Sequence, residues 1–152
     1  MSRFVRPILI VLAVVLAVYA MVFADLALRA RSAYLEGEKY MRWHQDPALK
    51  KAFFEAAFQG EKARLERERA AGRIGEAEYL QRLELERFRR DESAGESSLK
   101  YAYHWYKTAV ELFSPPETRW VRLSRVKMSE AKELWKKELQ AKNIPYEDYM
   151  LE

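Results

Sequence analysis

Apolar and polar positions are distributed along this chain in two distinct ways. From Ile8 to Ala24, seventeen consecutive residues carry no charge, whereas beyond Leu28 apolar residues recur at helical spacing among many charged ones. At about 1.5 Å per residue the first run covers roughly 26 Å. Adding Pro7 and the stretch to Leu28 brings it to the roughly 30 Å of a hydrocarbon core. The pattern predicts a single spanning helix, with residues 1–30 as an N-terminal transmembrane anchor and residues 31–152 as a helical soluble domain. A cleavable secretory signal has a similar outline, since Arg3 and Arg6 precede the run and Ala20 and Ala24 offer cleavage points. The run is longer than the 7 to 15 residues or so of a signal core, which favours an uncleaved anchor.

Inside the anchor the alanines follow a second pattern. Ala13, Ala17, Ala20, Ala24 and Ala27 are spaced four, three, four and three, which places them on one helical face. Helices among lipid tails gain nothing from hydrophobic burial against each other, so small residues that admit a neighbouring backbone are the usual packing surface. The stripe is therefore a candidate transmembrane packing face, turned towards another copy or another subunit. Arg3, Arg6 and the terminal amine on one side nearly balance Arg29, Arg31 and Lys39 on the other, so the positive-inside count is close to a tie. The short basic tail before a signal-like segment is the form of a signal anchor. It points to a cytoplasmic N-terminus and an extracytoplasmic helical domain, in a single-pass inner (cytoplasmic) membrane protein.

The remainder reads as helices with clear punctuation and no period-two strand, so the fold class is all-α: one transmembrane helix followed by a small bundle of about four helices. The membrane helix continues through Tyr34 and Tyr40 to about His44. Asp46-Pro47 caps and opens a second helix to about Ala71. Gly72-Arg73-Ile74-Gly75 is a turn, a third helix covers about Glu76 to Asp91, and a fourth about Ser98 to Phe113. Ser114 and Glu117, three apart around two prolines, have the spacing of a capping box for a fifth helix reaching about Lys142. The fourth helix has the clearest core face, formed by Leu99, Ala102, Tyr103, Tyr106, Ala109, Val110 and Phe113. Trp120, Leu123, Leu134 and Trp135 mark a core face on the fifth.

In the second helix Phe53, Phe54, Ala56, Ala57 and Phe58 form an apolar surface wider than one neighbour requires. From Glu61 to Arg69 the same helix becomes a solvated arm with Lys62/Glu66 and Arg64/Glu68 one turn apart, and Glu86/Arg90 repeats the spacing in the third. Gly37, Tyr40, Phe53 and Ala56 resemble the glycine, tyrosine, phenylalanine and alanine of a tetratricopeptide repeat in their separations. Ala102, Tyr106 and Ala109 repeat the small-aromatic-small spacing of such a repeat's second helix, although Ala33, Glu36 and Leu49 depart from the pattern. The resemblance spans about half of the soluble part and implies helical hairpins with a face that grips another protein. Gly72, Ile74, Glu76, Glu78 and Tyr79 are similar to a common bacterial two-helix turn, which carries no chemistry.

Composition narrows the function classes. The 27 Lys and Arg nearly balance 23 Asp and Glu, which is not the one-signed field of a nucleic-acid binder. The absence of cysteine removes disulfides, thiolate metal sites and covalent haem attachment. No phosphate-cradling glycine motif occurs. His44 and His104 lack a second histidine or carboxylate three or four places away, so neither a metal nor a cofactor is expected, and no small-molecule substrate is evident. Tyr101, Tyr103, His104, Trp105 and Tyr106 encircle one helix, so some of these rings must face outward, as at protein interfaces. Phe54, Phe58, Tyr101 and Trp105 are the candidate protein-interface residues. The expected role is a non-catalytic membrane-complex subunit whose partners are membrane lipid and other subunits. A membrane-anchored adapter holding client proteins is the alternative.

Overall fold

The computed structural model describes residues 5–151, and within them every regular element is helical: α1 (Val5–Gln45), α2 (Pro47–Ala70), α3 (Glu76–Gly95), α4 (Ser98–Leu112), α5 (Arg119–Ala141) and a terminal 3-10 turn, Asp148–Leu151. α1 passes without a break from the apolar run into the polar part of the chain, because no proline or glycine pair interrupts it. Arg3 and the terminal amine, which enter the orientation count, lie outside the described residues.

The punctuation behaves as its chemistry requires, with two differences. Asp46 accepts the Ala48 amide at 3.0 Å and Pro47 occupies the first turn of α2. Gly72 takes a left-handed φ of 67° in the turn that follows, a conformation that glycine adopts without steric cost. α3 continues to Gly95, one turn beyond the expected end at Asp91, since Glu92, Ser93 and Ala94 contain no breaker. The cap of α5 is Thr118 and not Ser114. Thr118 Oγ1 accepts the Val121 amide at 3.3 Å, while the Ser114 hydroxyl donates to Glu117 Oε1 at 3.2 Å. The prolines between them hold the backbone out of the helix until residue 119, so the Ser114/Glu117 spacing forms no capping box.

The chain forms two compact units, one comprising the chain up to Tyr40 together with Leu99–Glu152 and the other Met41–Ser98. In the first, Leu99, Ala102, Tyr103, Tyr106 and Ala109 of α4 are buried with Ala30 and Ala33 of α1 and Val121, Ser124, Ala131 and Trp135 of α5. Gly37 is what lets α1 and α4 approach: a Cβ on it would lie 2.5 Å from the Tyr106 ring, and Tyr106 is 0% exposed. Tyr34 lies between Tyr106 and Trp120, with ring centroids at 5.9 and 5.5 Å, within the range of favourable aromatic pairs. Burying each such large side chain contributes about 1.5–3 kcal/mol.

The second unit is an α2/α3 hairpin closed over Phe58, Leu65, Ile74, Tyr79 and Leu83. Its rim is ionic. Arg69 covers the Tyr79 ring at 4.2 Å, and Arg90 covers Phe58 at 4.8 Å while pairing with Glu55 at 3.1 Å. Lys50 is buried, and its Nζ donates to the Glu96 carbonyl at 2.5 Å. Most of the ion pairs on this surface are exposed and are individually worth less than about 1 kcal/mol.

Candidate membrane and protein interfaces

The apolar half of α1 is long enough and apolar enough to cross a membrane. Its large side chains project outward, Ile8 being 65% exposed, and Val14, Val15, Leu16, Val18 and Met21 are similarly uncovered. Ala13, Ala17, Ala20 and Ala24 are exposed as well, and Ala27 is half-buried. At 3.6 residues per turn, these alanines lie about a third of the circumference away from the face bearing Leu26, Ala30, Ala33 and Gly37. On that second face Ala30 and Ala33 are buried and Gly37 meets Tyr106 of α4. The stripe and the bundle-facing side are therefore separate surfaces, with Ala27 between them. Asp25 accepts from Arg29 at 2.8 Å where the apolar run ends.

The four aromatic interface candidates have different surroundings. Phe58 is a correction: at 7% exposure it belongs to the hairpin interior, one helical turn pair from Leu65 on the same buried stripe. Phe54 is half-buried, with Trp43 at 5.6 Å and Phe53 in an edge contact at 5.4 Å. Trp43 also meets Phe53 at 5.0 Å, and Phe53 keeps half of its surface exposed. Tyr101 is half-buried and stacks on Tyr40 at 5.2 Å. Trp105 is 36% exposed, at the edge of the α4 face that buries Ala102 and Tyr106, about 60° around the helix from Ala102. The structure therefore brings Phe54 together with Phe53 and Trp43 and places Tyr101 and Trp105 on another helix.

The residues of the tetratricopeptide-like pattern also have definite places. Gly37 and Tyr106, drawn from its two separate stretches, touch each other. Ala56 is exposed, and Tyr40 meets Tyr101.

Among the described titratable groups, Tyr106 and His104 have well-defined surroundings. Tyr106 donates to Glu38 Oε1 at 2.7 Å, and burial, then that hydrogen bond, pushes its hydroxyl far above the usual phenol range. His104 lies against Tyr103 and Trp135, at 5.3 and 6.0 Å. Burial first, then Lys100 and Lys107, lowers its basicity. His44 is exposed on α1. Among the described residues no three His, Cys, Asp or Glu side chains converge as metal ligands. A groove between α2 and α3 is lined by Lys51, Glu55, Arg90, Asp91 and Gly95. There Arg90 bonds both Glu55 and Asp91, and the Arg90 contact holds Asp91 below the usual carboxylate range. Glu86 accordingly pairs with Arg89 at 2.7 Å and not with Arg90. The Lys62/Glu66 and Arg64/Glu68 pairs form as expected, each at 3.9 Å.

Sequence reasoning overlooked two structural residues that it could have found. Ala30 and Ala33 continue the small-residue pattern of α1 and lead to Gly37, and that continuation is the signal for a close helix-helix contact. Ser124, fully buried on α5, gave no such signal. No family model, curated protein or solved structure matches the chain.

Proposed function

We propose that this protein is a non-catalytic, single-pass subunit of a larger membrane complex, with α1 as its anchor and its helical part resting against a neighbouring subunit. The observation that carries the reading is the division of labour around α1. One face is filled by the chain's own α4 and α5, while the alanine face and the large apolar residues around it are covered by nothing in the described chain. Lipid suits the bulky residues, and a neighbouring transmembrane helix suits the alanines. In this reading the N-terminus is cytoplasmic, the helical part is extracytoplasmic, and the membrane is a bacterial inner membrane. The protein carries out no reaction, and its partners are other subunits and lipid. Neither a cofactor, a nucleic acid nor a small substrate is required.

The surface left open by Phe53 and Phe54, packed on the buried Trp43, favours the alternative, an anchored adapter that holds client proteins transiently on tetratricopeptide-like helices. Co-purification from membranes in mild detergent, followed by mass spectrometry, separates the two. A subunit retains fixed partners at constant ratio through salt washes, and A17L combined with A20L loosens or abolishes that retention. An adapter loses its clients on washing and is indifferent to the double substitution.

A further inference from the structure

The turn between α4 and α5 reaches the apolar half of α1. Pro115 and Pro116 face Tyr19, Val22, Phe23 and Leu26 across a small cavity of 240 Å³. The register explains this depth: Tyr106 meets Gly37, and α4 runs back from there towards the apolar end of α1. At about 1.5 Å per residue, Leu112 is carried some 9 Å further, to about the level of Arg31, and the turn goes deeper. Leu112 is 68% exposed and Pro115 is exposed beside it. An exposed leucine followed by two prolines is an unusual way to end a helix in water. It is well suited to the top of a bilayer.

We infer that the Leu112–Pro116 turn is a second membrane contact, inserted at the boundary between headgroups and acyl chains on the side where α1 leaves the bilayer. The inference rests on α1 spanning the membrane. Lipid is the occupant because the turn is continuous with the spanning surface of α1 and touches residues within it. Backbone amides without partners are costly in hydrocarbon, and the two prolines have none to satisfy. Two residues past Pro116, the Thr118 amide donates back to the Pro116 carbonyl at 2.8 Å. Charge then changes in the way an interface requires. Trp120 is flanked by the guanidinium groups of Arg31 and Arg119, at 5.7 and 5.6 Å from its ring, and Arg122 follows one turn on. Tryptophan and arginine together are characteristic of the headgroup layer. The acids nearby are already engaged: Asp25 with Arg29, Glu111 with Lys107, and Glu117 with Arg125 at 2.5 Å.

The chain contains no cysteine, so single-cysteine variants report one position each. L16C, L35C and L112C of the full chain, carrying an environment-sensitive fluorophore, are reconstituted in phosphatidylcholine/phosphatidylglycerol vesicles. They are then quenched by lipids brominated at shallow or deep acyl positions, or by aqueous iodide. The expected result is deep quenching at position 16, shallow lipid quenching at position 112 and iodide quenching alone at position 35. P115C is the second reporter in the turn and should be quenched at least as deeply as L112C. If position 16 is lipid-quenched but positions 112 and 115 respond only to iodide, the turn lies in water and the inference fails while the spanning helix stands. Shielding of positions 112 and 115 from lipid and iodide alike overturns it in favour of a protein contact. Iodide quenching at position 16 overturns the spanning reading itself.

Discussion

The two halves of α1 use the same device for different ends. In the lower half, Ala30, Ala33 and Gly37 let α4 approach until the Tyr106 ring fills the space a side chain would have taken. In the upper half, Ala13, Ala17, Ala20 and Ala24 form an equally smooth face on which nothing from the described chain rests. Small residues make close approach possible without supplying much energy of their own. The gain comes from whatever packs against them, through dispersion contacts. The lower half shows that this helix is built for such contacts, and the upper half presents the same surface turned about a third of the circumference away.

The sharpest way to break the comparison is to place a charge in each half. L16R puts a guanidinium mid-span, which costs about 2.5–3.5 kcal/mol of insertion free energy. L35R places the same group at a position that is already half exposed and should change stability by no more than about 0.5 kcal/mol. Alkaline extraction of membranes reads both: the first variant should shift towards the supernatant and the second should remain with the pellet. Equal behaviour would mean that the two halves share one environment.

Next in size is Gly37→Ala. Alanine recovers about 1 kcal/mol of helix propensity, but its methyl would stand 2.5 Å from a ring with no room to move, and such overpacking costs about 1–3 kcal/mol. A net loss of up to about 2 kcal/mol should appear as a lower Tm for the full chain in mild detergent. Tyr106→Phe leaves every clashing ring carbon in place and should not relieve the clash, whereas Tyr106→Ala should make the added methyl harmless. Ala20→Gly in the upper half meets no such ring and should cost only the propensity term.

His104 sharpens the account of the bundle itself. Its folded pKa is depressed by burial and by Lys100 and Lys107, so the unfolded chain binds a proton more readily than the folded one. Stability is therefore complete above the ordinary histidine pKa near 6.5 and declines as the pH falls through that value towards the folded one. Tm measured from pH 8 to pH 5 should drop in the wild type and drop less in His104→Gln. A Tm that rises on acidification would contradict the burial. A further small effect belongs to Ser124, whose buried hydroxyl has no partner. Ser124→Ala should be neutral or stabilising by up to about 1 kcal/mol in the same assay.

Much of this was legible in the sequence because the governing patterns are local. The charge-free run, the Asp46-Pro47 start and the five buried positions of α4 all follow from periodicity and capping. What was not legible depends on partners distant in the chain. Phe58 looks like surplus apolar surface until α3 folds back and Leu83 and Tyr79 cover it. Gly37 resembles a repeat glycine in spacing, yet its value here is room for Tyr106, 69 positions later. Arg90 lies one helical turn from Glu86 and still turns to Glu55 and Asp91, because ion pairs at the surface differ too little in energy for spacing to choose among them. Ser114 failed as a cap because the prolines after it delay the helix to residue 119.

The central claim is that the upper half of α1 remains part of the mature protein and lies within a bilayer. It is tested most directly by alkaline carbonate extraction of untagged protein from its native membranes, followed by intact-mass measurement of the fraction that holds it. The account predicts protein in the membrane pellet whose mass includes residues 8–24. Protein in the supernatant, with a mass that begins after Ala20 or Ala24, would contradict it.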